Sequence, residues 1–492
     1  MAPTPSHRME AVELVEEDLP AGPTTMGGRQ GRQTTRTSAD GPPPGSGAPP
    51  GTGRRGAART LRRWWPIALP LVLVVAAGSA VSAQRERARV DRVAAVPGMV
   101  RPLDGAPREL WRVPAGPGDQ VVAAGGGVAV VGDRQGVWRV TSVDARTGDE
   151  RWSTQLTRVA SVAAEAGAVV CPGGGSDVGG VLVCLVRSSP PVYADAFAAA
   201  PGTTRIVALD SADGTVAGEW AVGDAVVSVA RRGDDVVLVT EDPDGIVHAA
   251  RHDALTGATR WSYEARQAVG SDGYVDVASA EATGEHLLLG GYGTAVLDLD
   301  DGAELFWARY LSFVLTRSDG ERFGTWSASR GGALHGASGR KLRDLPALPV
   351  RPAVDDGTAD DVVVLDTGRE LSASGAYTGA PLWTLGTDLE VALVVAGQLV
   401  LAAPGRQMSV DAHTGEVAWD VATGAGAFGL VSDGALVLTA EPGADGAPVL
   451  TARGIEDGVG YWSRPLPAGT SSLVVEGGAL LARTAHELVA LG

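Results

Sequence analysis

The sequence predicts an all-β chain folded as a single β-propeller of about eight four-stranded blades, with nine as the open alternative. Two observations carry this. A turn motif recurs at intervals of 36 to 66 residues, and short Val/Ala/Leu runs broken by glycine fill the spaces between copies. A period in that range marks a solenoid or a propeller. The runs, among them VVAAGGGVAVVG, EHLLLGGYG and VALVVAGQLVLAA, each fit one or two strands of about five residues. Four such strands per period make a blade.

The clearest copy of the motif is VDAHTGEVAW, residues 410–419. Asp411 is placed to accept backbone N–H groups two residues on, closing an Asx turn. Gly415 supplies a positive φ. Trp419 offers a large apolar face and one N–H that needs a partner. Asp144, Gly148 and Trp152 repeat these offsets, as do Asp253, Gly257 and Trp261. Asp210 and Gly214 are followed by Trp220 after two extra residues, and Asp298 and Gly302 by Trp307 after one. Two copies keep only glycine and tryptophan: Gly379 with Trp383, and Gly458 with Trp462. An eroded copy at His335 and Gly339 has Leu345 roughly where the tryptophan belongs. That erosion is why eight blades are expected rather than nine.

The pattern A/S-x-D-x-x-T-G-x-x-x-W resembles the tryptophan-docking motif of pyrroloquinoline-quinone (PQQ) type propeller repeats. The resemblance covers residues 103–492. That family includes quinoprotein dehydrogenases and the non-enzymatic propeller lipoprotein of the outer-membrane β-barrel assembly machinery. The resemblance implies a propeller whose motif tryptophans pack between neighbouring blades. It also raises PQQ with calcium as an alternative cofactor set.

The chain ahead of the repeats reads differently. Residues 1–60 form a tail whose GPPPGSGAPPGTG stretch cannot bury a core. Residues 64–83, WWPIALPLVLVVAAGSAVSA, carry no charge and match the length of a bilayer-spanning helix. Arg54, Arg55, Arg59, Arg62 and Arg63 precede them, and Arg85, Arg87, Arg89 and Arg92 follow. The arginine bias places the N-terminus in the cytoplasm and the propeller outside, held by an uncleaved signal anchor at the cell membrane. Residues 84–102 read as a charged stalk. Trp111 then stands as a motif tryptophan without its own blade, while the chain ends HELVALG, a strand without its turn. The two halves are expected to close the ring by forming one blade, which removes an exposed sheet edge.

Residues 101–492 hold 28 Lys and Arg against 50 Asp and Glu. Such an acidic body argues against nucleic acid and is compatible with cationic partners. The only cysteines, Cys171 and Cys184, end two apolar runs. They are read either as a disulfide across a hairpin in an oxidising compartment or as two buried thiols. Acidic turns at Asp355, Asp356, Asp360 and Asp361, and at Asp242 and Asp244, are the calcium candidates; their other reading is solvated loop. His248 and His252 lie in strand and turn rather than helix, and His413 lies in a blade turn. No haem-attachment, phosphate-loop or zinc-protease motif occurs. The loop at 187–204 is an insertion between Trp152 and Trp220.

No catalytic, cofactor-binding or metal residue is therefore assigned. Two functions remain. One is a membrane-anchored extracytoplasmic propeller serving as an interaction, scaffold or sensor module with envelope proteins. The other is a PQQ-dependent quinoprotein oxidoreductase.

Overall fold

The computed structural model describes residues 96–158, 168–173, 180–187, 204–223, 225–242, 244, 246–266, 279–290, 293–309, 313–316 and 320–492. The tail, the 64–83 stretch, the stalk up to residue 95 and the insertion at 188–203 lie outside them. Among the described residues no helix is long and apolar enough to cross a membrane.

The described chain forms nine sheets, antiparallel except for one short parallel pair of Val354–Asp355 with Leu393 and Val394. In chain order, blades 1 to 8 span residues 120–158, 169–222, 225–264, 279–308, 313–345, 348–386, 390–422 and 428–465. Blade 9 takes three strands from residues 472–491 and its outermost strand, Glu109–Pro114, from the other end of the described chain. Glu109–Pro114 runs antiparallel to Glu487–Leu491, with Trp111 opposite Ala490.

Alternation of buried and exposed residues sets each strand's place. In blade 1 the strand Gly127–Arg134 is buried over its first six residues, whereas Glu150–Arg158 buries only Trp152 and Leu156. Strands with both faces covered lie inside a blade; strands with one face covered form its rim. The first strands of neighbouring blades touch one another, blade 3 with 4, 7 with 8, 8 with 9 and 9 with 1. They therefore line the centre.

The hydrophobic core is divided into nine clusters, each a seam between consecutive blades. Val122, Trp138, Leu182 and Leu209 join blades 1 and 2. Val237, Trp261, Leu287 and Leu297 join blades 3 and 4. Trp111, Val128, Val143 and Leu488 join blades 9 and 1, which closes the ring.

The blade number corrects the expectation of eight. The eroded copy around Gly339 is a complete blade, with four strands between Phe313 and Leu345. Rings fill its seam with blade 4: Phe323 stacks on His335 at 4.8 Å with a 6° interplanar angle, and Phe306 of blade 4 meets both edge-on. The missing tryptophan belongs to the opposite seam, with blade 6, where Leu345 is buried in one cluster with Val363 and Leu365. The expected spanning helix at 64–83 lies outside the described residues, which are all-β throughout.

Candidate functional site

Each motif turn works across two blades. In the turn after Val410, the Asp411 carboxylate accepts the backbone N–H groups of His413 (3.0 Å) and Thr414 (2.8 Å). Asp144 does the same for Arg146 and Thr147, and these bonds hold its carboxyl below the usual carboxylate range. The glycine N–H bonds back to the aspartate carbonyl, at 2.9 Å for Gly415 and 2.8 Å for Gly214. Where the aspartate is lost, Gly375 and Gly454 supply that carbonyl to Gly379 and Gly458.

The tryptophan docks on the turn of the next blade, not its own. Trp111 Nε1 donates to the Ala145 carbonyl at 3.0 Å, Trp152 to Ser211 at 3.0 Å, and Trp220 to Ala254 at 3.1 Å. Trp261 donates to Leu299 at 3.1 Å, Trp383 to Ala412 at 2.8 Å and Trp419 to Ile455 at 2.9 Å. Each acceptor immediately follows the position of the motif aspartate. At Ser211, Ala254, Leu299, Ala412 and Ile455 the N–H in turn bonds to the first hairpin of the same blade, as Ser211 does to Gly180 at 2.8 Å and Ala412 to Gly397 at 2.9 Å. One residue thus ties the inner hairpin of its blade to the rim of the preceding blade.

This geometry explains the glycine. Gly148, Gly214, Gly257, Gly302, Gly415 and Gly458 have φ between 64° and 75°. A Cβ on any of them would stand 2.4–2.8 Å from the docking indole. Both the backbone and the neighbour exclude a side chain.

Three seams depart from the rule. The buried Trp307 Nε1 has no hydrogen-bond partner, and Gly339 is approached by the Leu305 carbonyl instead of an indole. Gly379 faces the Arg343 guanidinium, and the Arg322 guanidinium lies 4.4 Å over the Tyr377 ring. At blade 9 the turn is replaced by a two-way backbone pair between Arg108 and Gly492, 3.0 Å each way. Trp462, which faces that junction, stays partly exposed.

Cys171 and Cys184 form a disulfide that ties the end of the first strand of blade 2 to its second strand. The Gln120 side chain of blade 1 clamps the Cys171 peptide, accepting its N–H at 2.9 Å and donating to its carbonyl at 2.6 Å. His413 Nε2 lies 2.9 Å from Asp361, and His248 Nε2 lies 3.4 Å from Asp242. His252 tilts against the Trp220 ring at 5.1 Å.

Residues 96–108 run as a strap across the face that carries the motif turns. Val100 N–H bonds the Ser432 carbonyl (2.8 Å), Arg101 N–H the Gly478 carbonyl (2.9 Å), and Leu103 N–H the Asp433 carboxylate (3.2 Å). Met99 is fully buried among Val354, Leu393 and Val400. In sequence this stretch reads mostly as stalk; its one apolar signal is Met99-Val100, between Gly98 and Arg101.

A cavity of about 870 Å³ lies beside the strap, where Val96 and Pro97 meet blades 4 to 7. Its wall includes Glu281, Arg351, Asp355, Asp356 and Asp360. Glu281 and Arg351 form an ion pair linking blades 4 and 6. Asp356 is committed to structure, accepting N–H groups from Thr358 at 3.0 Å and Ala396 at 2.8 Å. Asp355 accepts the Gly357 N–H at 3.0 Å. Among the described residues no three His, Cys, Asp or Glu groups converge to hold a metal ion. The acids of this wall therefore do not converge as a calcium site.

The sequence pattern of the family described as outer membrane protein assembly factor BamB matches residues 139–330 and 326–491. No curated protein matches the chain. Among solved structures, BamB from Moraxella catarrhalis is 17% identical, over 79% of this chain and 98% of its own, with a TM-score of 0.42. The quinohemoprotein alcohol dehydrogenase ADHIIG from Pseudomonas putida HK5 is 12% identical, over 82% and 81%, with a TM-score of 0.40. The computationally designed protein Ika8 is 11% identical, over 75% and 98%, with a TM-score of 0.37. With the matched pattern spanning most of the nine blades, the chain belongs to the outer membrane protein assembly factor BamB family of PQQ-like propeller repeats.

Proposed function

We propose that this protein is a non-catalytic, extracytoplasmic propeller at the cell membrane that binds other envelope proteins as a scaffold or sensor. The observation that carries this reading is where the repeat residues are used. The motif aspartates, glycines and tryptophans hold turns and seams, and none of them lines the 870 Å³ cavity. The disulfide supports an oxidising compartment. The acidic excess of residues 101–492 favours cationic protein partners over nucleic acid. The family description points to assembly of outer membrane proteins, and proteins undergoing assembly in the envelope are the proposed partner class.

Proximity crosslinking from the propeller in intact cells tests this. Recovery of extracytoplasmic envelope proteins is the expected result; recovery of cytoplasmic proteins alone would overturn it. The competing reading, a quinoprotein oxidoreductase, has its own readout. Addition of PQQ and calcium to the purified protein would then give a bound-cofactor absorbance and substrate-dependent turnover.

A further inference from the structure

The innermost strand of blade 6 stops short. In blade 7 the equivalent strand, Glu390–Val395, pairs along most of Gln398–Ala403. In blade 6 only Leu348 and Pro349 pair, opposite Asp366 and Leu365, and Val350 N–H adds one bond to the Val364 carbonyl at 3.1 Å. Pro349 and Pro352 have no N–H to continue a ladder. The chain then crosses to blade 7, where Val354–Asp355 runs parallel to Leu393 and Val394. The 870 Å³ cavity opens at this crossing, with Pro349, Val350 and Pro352 in its wall.

The cavity reaches two hydrophobic clusters. Leu334, Leu345 and Val363 come from the seam of blades 5 and 6, and Val362, Val364 and Leu399 from the seam of blades 6 and 7. All are buried from bulk solvent, at 6% exposure or less. The volume falls in the range of about 300–1,000 Å³ usual for ligand sites. Its charged groups are already engaged within the chain. Arg351 pairs with Glu281, Asp355 accepts the Gly357 N–H, and Asp356 accepts those of Thr358 and Ala396. The main chain is engaged too, since the Val364 carbonyl takes the Val350 N–H and Val362 N–H bonds to the Ala359 carbonyl at 3.0 Å.

This pattern selects by charge. An ion entering the cavity would give up its water and gain no free partner of opposite sign, and the remaining carboxylates repel an anion further. An uncharged apolar molecule gives up little hydration and covers the valines and leucines. We propose that the cavity binds an uncharged, largely apolar small molecule, seated against the side chains of blades 5 to 7. The site is additional to the binding of envelope proteins and does not depend on it.

The test photolabels the full chain with a long-chain alcohol that carries a diazirine, using the carboxylate of the same length as control, and sequences the labelled peptides. Two variants fill the space. One is Val350→Trp. The other is Thr283→Trp, on the strand face of blade 4 opposite Ala280 and Ala282, which pack toward blade 3. The alcohol should label peptides holding Leu334, Leu345, Val350 or Val362 to Val364, and excess unlabelled alcohol should remove that label. The carboxylate should label them at least about tenfold less. Each variant should cut labelling by the alcohol there at least about fivefold, with labelling elsewhere unchanged. Thr283 is half-buried, so its variant keeps the test valid if Val350→Trp folds poorly. Equal labelling by alcohol and carboxylate, label that neither variant reduces, or no label on these peptides would overturn the proposal. Crosslinking of envelope proteins that persists while the labelling fails would leave the interaction reading standing without this site.

Discussion

The indole of Trp419, in blade 7, lies on the backbone of Gly458, in blade 8. Its Nε1 donates to the Ile455 carbonyl at 2.9 Å. A Cβ on Gly458 would stand 2.5 Å from the indole Cγ. The two residues are 39 apart in sequence and belong to different copies of the motif.

Trp419→Ala is expected to cost about 3–5 kcal/mol in urea unfolding, the range for removing a buried tryptophan. Trp261→Ala should behave alike. Gly458→Ala should also destabilise, from its φ of 64° and its contact with the ring. The double variant Trp419→Ala with Gly458→Ala should cost less than the sum, because removing the ring frees the space the new methyl needs. Strict additivity would break the claimed pairing.

Trp307 and Trp419 should respond differently to phenylalanine. Trp307 Nε1 is buried without a partner, so Trp307→Phe removes an unsatisfied donor and should stay within about 0.5 kcal/mol of the parent. Trp419→Phe removes one of two donors to the Ile455 carbonyl, leaving the Ser409 hydroxyl at 3.0 Å, and should cost about 0.5–1.5 kcal/mol. Calorimetric melting of the two variants side by side checks this.

His335 and Glu476 should give opposite slopes of stability with pH. Burial in the seam of blades 4 and 5 pushes the His335 pKa down. The Gly339 carbonyl can only accept, so Nδ1 carries the proton at 3.0 Å and Nε2 takes the Thr325 hydroxyl at 3.1 Å. The unfolded chain binds a proton more readily, so stability is lost as pH falls below the unfolded value of about 6.5. Glu476, at the seam of blades 9 and 1, is pushed up to about 7 by burial, despite the Ala123 N–H at 3.3 Å. Its contribution is full below 4.5 and is lost as pH rises through about 7. Melting temperatures from pH 5 to 8.5 should show His335→Gln flattening the acid limb and Glu476→Gln raising stability at pH 8. A Glu476→Gln gain at pH 5 instead would contradict the sign.

Removing the N-terminal contribution should open the ring. A chain starting at residue 120 lacks Glu109–Pro114, Trp111 and the strap that buries Met99. The Glu487–Leu491 edge is then exposed and should drive association, with a lower melting temperature from the lost burial. A chain starting at residue 95 should remain monomeric in sedimentation. Equal melting and equal monomer fraction for the two would refute closure through blade 9.

The blades with tryptophan are legible in the sequence because turn chemistry is local: an Asx turn and a positive φ fit within five residues. What the tryptophan touches is not, since Trp152 and its acceptor Ser211 are 59 residues apart, with three strands of blade 2 between them. Blade 5 is faint in the sequence because its last strand carries Leu345 near the tryptophan position, buried with Val363 and Leu365 of blade 6. The broken inner strand of blade 6 leaves a trace in Pro349 and Pro352, but its second half pairs with blade 7, a choice set by space rather than by local sequence.

The strap gives the molecule strain relief. Tension applied from the N-terminal side would reach Met99 and the Ser432 and Gly478 bonds before it reached Glu109–Pro114. Without that clamp the same pull would unzip the closing strand from its Glu109 end, one hydrogen bond at a time. With it, the load spreads over blades 7, 8 and 9 together, and the ring's non-covalent join is shielded from the direction in which a tether would tug.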